Sequence, residues 1–289
     1  MPRQRTVIAT LCLIFCIIAG SLPVIPAHAK EKPVYTLALI PNLPAVTLHK
    51  NWTPLIEYLE RETGEQFDLK LYDKIESFVT EVNAGRVDFV YTSPNLFYTA
   101  HQRQKYVPLV RSADMIRGQL FVRKDSPYTC VEDLHGKTVA FVGSRTVCSI
   151  LTRQALLKDI GESDYRVSFN GSSVNVAKSV LIGKTDAGAA LDMTMVRELA
   201  DMKNEFRTIM ETEKVAPHPL AAHPRVPRTV QQKVTAKLLA LNNQEQGRKI
   251  LETIKMARPV KADFNRDYRL FSRYDLDRLD RQTSNQPPP

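Results

Sequence analysis

The hydrophobic pattern of residues 34–95 alternates between the period of a strand and the period of a helix. Trp52, Leu55, Ile56 and Leu59 recur at the spacing of one helix face, whereas the neighbouring apolar runs are continuous or alternate with polar residues. The pattern predicts a strand at 34–40, a helix at 52–61, a strand at 67–72, a helix at 78–84 closed by Gly85, and a strand at 87–91. This order is typical of a parallel sheet covered by helices.

A second unit with the same rhythm begins near residue 118. Its predicted strands lie at 120–122, 138–142, 165–169 and 187–191, and its predicted helices at 130–134, 150–157 and 174–182. Four prolines at 217–227 then indicate an extended connection before helices at 230–241 and 246–256. Two α/β units suit a ligand cleft at the carboxyl ends of their strands, so the loops after the strands are the candidate site.

The first thirty residues have the pattern of a cleavable export signal. Arg3 and Arg5 precede an apolar run at 7–20, and a small-residue triplet at 27–29 predicts cleavage after Ala29. The alternative is a membrane anchor that stays attached, but the apolar run is short of the ~20 residues that a helix needs to cross the hydrocarbon core. We therefore expect a soluble protein of the periplasm.

Composition describes a folded, basic chain. Its 289 residues are 43% hydrophobic and 25% charged, with 40 Lys+Arg against 31 Asp+Glu and a formal net charge of +9. These values exclude a disordered tail and a disulfide-dense miniprotein. A basic balance suits nucleic acid, an anionic membrane surface or a small anion. Export removes nucleic acid from the expected partners, and no further segment is apolar enough to span a bilayer.

The loop after the strand predicted at 87–91 carries side chains that suit an anion. Tyr91 offers an aromatic wall, Thr92 and Ser93 offer hydroxyls, and Asn95 offers an amide at the start of a helix. Hydroxyls and the N–H groups of a helix N-terminus can receive an anion's oxygens, because the helix dipole places partial positive charge there. The alternative is that Ser93 or Asn95 simply caps this helix.

A second loop of this kind, residues 143–149, lies between a predicted strand and a predicted helix. Gly143 permits a close backbone approach, Thr146 and Ser149 offer hydroxyls, and Arg145 offers a charge-assisted contact. The spacing is not that of a Walker loop. The loop is therefore a second candidate for contact with a small anion.

Two of the four cysteines, Cys130 and Cys148, lie beyond the predicted cleavage point. In an oxidising compartment they either form one disulfide or remain two thiols, buried or reactive. Cys148 stands near a predicted helix N-terminus, which favours a depressed thiol pKa and a role as soft ligand or nucleophile. A buried, free cysteine is the commoner case at such a position.

The sequence has no pattern that demands catalysis, a metal or a cofactor. His218 and His223 lie five residues apart among prolines, without the spacing of metal ligands, and no serine stands in a G-x-S-x-G motif. We expect structural histidines, no metal, no cofactor and no enzyme. An enzyme with Cys148 as nucleophile remains a distant hypothesis, since no histidine or carboxylate is recognisably paired with it.

Five segments, in order, resemble one known family. The chain is similar to the periplasmic substrate-binding proteins of phosphate/phosphite/phosphonate ABC transporters, within the type 2 periplasmic-binding fold. The resemblance runs from Leu37 to about Phe271, and its marks are residues 40–42, 85–94, 122–127, 133–141 and 180–189. Each segment is weak by itself, whereas five at the family's spacing are strong.

The resemblance implies a two-lobed α/β protein whose lobes are joined by two crossover strands, near 118–122 and 215–222, and close over an anion. The implied limits are a signal peptide at 1–29, a discontinuous first lobe at 30–117 and 223–289, and a second lobe at 118–222. The family's Ser-Thr-Ser run is matched here by Thr146, Val147 and Cys148, and its histidine after Gly-Ser is replaced by Ser173. These departures leave room for an oxyanion other than a phosphonate.

We therefore expect an extracytoplasmic protein that captures a small oxyanion and delivers it to an inner-membrane ABC permease. The alternative is a sensing protein, for arsenite or a sulfur oxyanion, that partners a two-component histidine kinase; in either case a monomer is expected. Asp192 is assigned the role of accepting a proton from a protonated ligand oxygen. The residues expected to bind the ligand are Asn42, Tyr91, Thr92, Ser93, Asn95, Thr146, Cys148, Ser149, Ser173 and Asp192.

Overall fold

The computed structural model of the chain describes residues 32–161 and 165–274, and every element lies in the compact unit that begins at Val34. The predicted signal peptide and its cleavage site lie outside the described residues. The strands are β1 (Val34–Leu39), β2 (Gln66–Lys70), β3 (Phe89–Tyr91), β4 (Val107–Ser112), β5 (Gly118–Arg123), β6 (Lys137–Phe141), β7 (Tyr165–Phe169), β8 (Ala187–Leu191), β9 (Phe206–Glu211), β10 (Pro219–Ala222) and β11 (Pro259–Lys261).

The α-helices alternate with these strands. They are α1 (Ala45–Thr63), α2 (Ile75–Asn83), α3 (Pro94–Gln104), α4 (Val147–Asp159), α5 (Ser173–Leu181), α6 (Asp192–Arg197), α7 (Arg228–Leu241), α8 (Glu245–Thr253) and α9 (Phe264–Asp267). Short 3-10 helices occupy Glu132–Leu134, Lys203–Glu205 and Arg269–Arg273. The predicted alternation of strand and helix is confirmed.

The first sheet has six strands in the order β11-β4-β10-β3-β1-β2, and we call this sheet with its helices the first lobe. β1 is parallel to β2 and β3, whereas β10 runs antiparallel to β3 and β4, and β11 antiparallel to β4. Leu37 pairs with Phe89, and both side chains are fully buried in the core. Since β1 and β3 are parallel, the loops that follow them share one edge of the sheet.

Helix α1 covers this sheet through the apolar face that the sequence predicts. Trp52, Leu55 and Leu59 are at most 2% exposed. Gly64 ends the helix with φ 71°, a left-handed conformation that glycine adopts without steric cost, and its N–H bonds the carbonyl of Glu60. The helix therefore stops where β2 must begin.

The second sheet has five strands in the order β7-β6-β8-β5-β9, and we call it with its helices the second lobe. β6 is parallel to β7 and β8, while β5 runs antiparallel to β8 and β9. Phe121 and Phe141 are fully buried in this lobe. The carboxyl ends of β6, β7 and β8 share one edge, from which α4, α5 and α6 begin.

The chain crosses between the sheets twice, from β4 to β5 and from β9 to β10. The two crossings meet at an antiparallel bridge between Ile116 and Val215, whose backbone hydrogen bonds measure 2.9 and 2.7 Å. Two lobes joined by two crossings confirm the predicted type 2 periplasmic-binding fold. The lobe limits at 118 and 222 stay a prediction. Strand β10 belongs to the first sheet, so the second crossing precedes Pro219.

Candidate anion-binding cleft

The loop from β3 to α3 leads into helix α3, which has no side-chain cap at its N-terminus. Ser93 stands at the N-cap position with extended backbone, and Pro94 occupies the first helical position, where its missing N–H costs nothing. The Ser93 hydroxyl makes no capping hydrogen bond. The capping alternative for Ser93 is therefore wrong.

Three polar side-chain atoms in this loop are buried and have no hydrogen-bond partner within the described residues. They are Thr92 Oγ1, Ser93 Oγ and Asn95 Oδ1, on side chains of residues that are 0%, 5% and 2% exposed. Buried polar groups are ordinarily hydrogen-bonded, because leaving one unsatisfied costs about 1–3 kcal/mol. Three of them beside the N-terminus of an eleven-residue helix form a cradle that suits a small anion.

Asn95 also joins this cradle to the second lobe. Its Nδ2 donates to the main-chain carbonyl of Arg145 at 3.1 Å. Because this bond requires the nitrogen on that side, it fixes the orientation of the amide and leaves Oδ1 as an acceptor. The N-terminal ends of α3 and α4, one from each lobe, thus meet at this contact.

On the second lobe, Thr146 and Ser149 form the N-terminal cap of α4. Thr146 Oγ1 accepts from the Ser149 N–H at 3.4 Å and lies 2.7 Å from Ser149 Oγ. It also donates to the carbonyl of Gly143 at 3.2 Å. The cap holds the first turn of α4 at the cleft, and Thr146 is half-buried there.

Cys148 is a buried free cysteine, as in the commoner of the two cases considered, and not a reactive thiol. Its thiol is 6% exposed, packs in the cluster that contains Leu120, Val139 and Phe141, and lies 3.9 Å from Thr152 Oγ1. Burial raises the pKa of Cys148 to about 12, so the expected depressed pKa is wrong. Cys130 is free and exposed, and Cys148 is free and buried, so no disulfide joins them.

The remaining predicted residues lie at the rims of the two sheets. Asn42 is exposed on the loop after β1. Ser173 is the half-buried first residue of α5, behind the N-cap Ser172. The loop before α5 is tied to the end of β6 by backbone bonds from Asn170 and Gly171, which places Ser173 on the same edge as the α4 cap.

Asp192 is engaged at the hinge. Its Oδ1 accepts from the N–H groups of Met193, at 2.8 Å, and Arg117, at 3.3 Å, and its Oδ2 lies 3.8 Å from Arg117 Nε. These contacts engage Oδ1, whereas Oδ2 has only the 3.8 Å approach of Arg117. The role assigned to Asp192 toward a protonated ligand oxygen stays a prediction.

Sequence reasoning missed His218 as a neighbour of the cradle. Its ring stacks on Tyr91 with 5.6 Å between centroids and 29° between planes, and Trp52 packs on Tyr91 at 4.7 Å. Burial, with a smaller effect of the Lys255 charge, lowers the pKa of His218 to about 4, so the ring is neutral at pH 7. A histidine among prolines carries no local signal of this pairing.

The sequence also gave no sign of an ion pair that spans the two lobes. Lys255, just after α8, has a left-handed φ of 60°, and its Nζ lies 2.9 Å from a carboxylate oxygen of Glu198, just after α6. Both side chains are nearly half-exposed, so the pair adds little stability. It does place a positive charge near His218.

Two α/β lobes, with helix N-termini and buried, unpartnered hydroxyls where they meet, are the fold and the candidate site of this chain. Residues 37–268 match the family described as the periplasmic substrate-binding protein of phosphonate ABC transporters, and the chain belongs to this family. This is a family of solute-binding proteins rather than of enzymes. Within the described part of the chain, no helix has the length and apolar character needed to cross a membrane.

Two curated relatives are similar over part of their length. The tetrathionate sensor histidine kinase TtrS of Salmonella typhimurium is 26% identical over 157 residues, which cover 50% of this chain and 26% of the kinase. The phosphate-import protein PhnD of Mycolicibacterium smegmatis is 24% identical over 210 residues, 65% of each chain. The chain thus spans less than two thirds of either relative.

Solved structures share the fold at low sequence identity. XAC2383 from Xanthomonas citri, bound to chloride ion, has a TM-score of 0.72 and 20% identity, covering 88% of this chain and 99% of that one. PhnD1 from Prochlorococcus marinus, in complex with methylphosphonate, has a TM-score of 0.70 and 14% identity over the same shares. These likenesses show the two-lobed fold.

Proposed function

We propose that this protein is a periplasmic solute-binding protein that captures a small oxyanion, phosphate-, phosphite- or phosphonate-like, between its lobes and delivers it to an inner-membrane ABC permease. One observation carries the proposal: Thr92, Ser93 and Asn95 hold three buried, unpartnered polar atoms at the N-terminus of α3. An oxyanion that keeps one protonated oxygen would satisfy all three, accepting from the two hydroxyls and donating to Asn95 Oδ1. Family membership supports the class of ligand and the transport partner.

The proposed contacts follow from donor and acceptor chemistry. The hydroxyls of Thr92 and Ser93 donate to ligand oxygens, together with the free N–H groups in the first turns of α3 and α4. Asn95 Oδ1 accepts from a protonated ligand oxygen, because its amide nitrogen is already committed to Arg145. Thr146 and Ser149 keep the first turn of α4 in place, and Ser173 contributes from the neighbouring rim.

Closure about the two crossings would complete the site. The Ile116–Val215 bridge is the narrow connection between lobes, and the Asn95–Arg145 bond ties the lobes at the ligand. A ligand that contacts both helix N-termini favours the closed arrangement in proportion to its extra affinity for it. The closed surface is then what a permease recognises. We propose that the protein acts as a monomer, reaches the periplasm through the cleavable signal at 1–29, and contacts no nucleic acid.

The second candidate is a sensing protein that docks on a histidine kinase once loaded. The similarity of half of this chain to a tetrathionate sensor kinase favours it. The two functions differ in the host cell. Deleting the gene should abolish uptake of the ligand if the protein serves a permease, and should abolish a transcriptional response with uptake intact if it serves a kinase.

A thermal-shift screen of the purified protein tests the ligand class. The panel is phosphate, phosphite, methylphosphonate, arsenite, sulfate and tetrathionate. A ligand at 100 times its dissociation constant stabilises the folded protein by about 2.7 kcal/mol, a shift of several degrees. We expect such a shift with at least one phosphorus oxyanion. A shift with tetrathionate alone would favour the sensing candidate, and no shift with any member would contradict both.

A further inference from the structure

The antiparallel pairing of β10 with β3 places His218 beside the cradle. Leu220 pairs with Tyr91, and the Thr92 N–H donates to the carbonyl of Pro219 at 3.4 Å. Continuing that register puts His218 opposite Ser93, on the face of the pair that Tyr91 also occupies. The stacking of His218 on Tyr91 agrees with this placement.

The ring nitrogens of His218 make no hydrogen bond within the described residues, although the ring is half-buried. Its imidazole is therefore a polar group without a protein hydrogen bond, at the register position of Ser93, whose Oγ is also unpartnered. The pairing of β10 with β3 thus brings together two segments that are far apart in sequence.

A neutral imidazole offers one N–H donor and one lone-pair acceptor. Tyr91 fixes the plane of the ring, since its own hydroxyl bonds the carbonyl of Ile254 at 3.3 Å and Trp52 packs against it. A ring held in this way can present a nitrogen to the cleft without loss of side-chain freedom on binding.

We propose that His218 is a ligand-contacting residue of the cleft, and that one of its ring nitrogens hydrogen-bonds an oxygen of the bound oxyanion. The inference rests on the proposed function and adds the second crossing to the site. The ligand would thus touch the first lobe, the second lobe and the connection between them. Such a contact would link ligand binding directly to the second crossing between the lobes.

Two substitutions distinguish the contribution of the His218 ring nitrogens to binding from that of the aromatic ring. His218→Phe keeps an aromatic ring on Tyr91 and removes both nitrogens, whereas His218→Gln keeps a donor and an acceptor and removes the ring. Calorimetric titration with methylphosphonate and with inorganic phosphate should show about 10- to 100-fold weaker binding for His218→Phe and partial recovery for His218→Gln. His49→Phe, at an exposed position of α1, is the matched control and should bind as wild type.

Melting in the absence of ligand should be the same for His218→Phe and wild type. Wild-type affinity in the folded His218→Phe variant would overturn the inference while leaving the proposed function intact. A wild-type protein that binds none of methylphosphonate, inorganic phosphate and phosphite would overturn the proposed function and this inference with it.

Nuclear magnetic resonance gives a readout on the unmutated protein. With histidines labelled with carbon-13 and nitrogen-15, the ring resonances of His218 should shift on addition of whichever probe binds, because a hydrogen bond changes the tautomer balance. Those of His49 should not. Ring resonances of His218 that stay fixed while the backbone amides of Thr92 and Ser93 shift would overturn the inference.

Discussion

The side-chain amide of Asn95 in the first lobe donates to the main-chain carbonyl of Arg145 in the second lobe, at 3.1 Å. This bond brings together the N-terminal ends of α3 and α4, where both helix dipoles place partial positive charge. Two positive helix ends from different lobes repel unless an anion lies between them. Under the proposed function, an anion held at this contact would couple ligand binding to lobe closure.

The buried hydroxyl of Thr92 is expected to lower the stability of the ligand-free protein and to raise its affinity for the oxyanion. Thr92→Val keeps the shape of the side chain and removes an unsatisfied Oγ1, so the free energy of unfolding without ligand should rise by about 1 kcal/mol. Affinity for the oxyanion should fall at least tenfold. Urea unfolding and calorimetric titration measure the two effects.

Thr185→Val is the matched control for this experiment. Thr185 is 4% exposed, but its Oγ1 lies 2.8 Å from the hydroxyl of Ser179. Removing that partner leaves Ser179 unsatisfied, so stability should fall by about 1–3 kcal/mol and affinity should stay unchanged. A Thr92→Val variant that loses stability like Thr185→Val would show that the Thr92 hydroxyl is not reserved for a ligand.

A charge at the cap of α4 should repel the ligand without breaking the helix. Thr146→Asp retains an acceptor for the Ser149 N–H and so keeps the cap. Its negative charge in the cleft should weaken anion binding at least tenfold by titration. Thr146→Asn caps equally well without the charge and should stay within a few-fold of wild type. Equal affinities for Asp and Asn variants would remove this loop from the site.

The ion pair of Asp267 with Arg111 should make stability depend on acid pH. Burial raises the pKa of Asp267, but hydrogen bonds from Arg266 and Arg111 outweigh it and hold the pKa at about 2. The stabilisation is present above the unfolded-state pKa of about 3.9 and is lost as the pH falls toward 2. Asp267→Asn should therefore lower the free energy of unfolding by about 2–3 kcal/mol at pH 7.

The difference between Asp267→Asn and wild type should shrink between about pH 4 and pH 2, because wild-type Asp267 then becomes neutral as well. Urea unfolding at a series of pH values measures it. Asp68→Asn, at an exposed position of β2, is the control and should differ little from wild type. A constant difference across this range would contradict the assigned ion pair.

The two cysteines of the described chain should react very differently with a thiol reagent. Cys130 is exposed, whereas burial raises the pKa of Cys148 to about 12, and thiolate is the reactive form. Iodoacetamide at pH 8 should modify Cys130 in the native protein and Cys148 only after unfolding in urea. Peptide mass spectrometry reads both sites, and native modification of Cys148 at the rate of Cys130 would contradict its burial.

The fold was predictable because its strands and helices have clear local periods and its turns carry glycines and prolines. β4 escaped prediction because Pro108 and Arg111 interrupt its apolar pattern. Arg111 is only 8% exposed because Asp267, 156 residues away in sequence, neutralises it. A partner that distant leaves no signal in the local sequence.

The sequence indicates the candidate site through the loops that follow strands, and it carries no signal where helix rotation or long-range register decides. Residues 147–153 of α4 are all buried, so no polar face indicates which side of the helix meets the core, and Cys148 was assigned to the cleft. His218 stacks on Tyr91 through the pairing of β10 with β3, more than a hundred residues earlier in the chain. The local hydrophobic periodicity of the sequence reveals neither the position of Cys148 nor that of His218.

Calorimetric titration of an Asn95→Asp variant tests the central claim most directly, with methylphosphonate and inorganic phosphate as probes. The substitution puts a carboxylate into the buried contact between the two helix N-termini, so we predict affinity at least 100-fold below wild type. Asn243→Asp, exposed between α7 and α8, adds the same charge elsewhere and should bind as wild type. A folded Asn95→Asp protein with wild-type affinity would contradict the account.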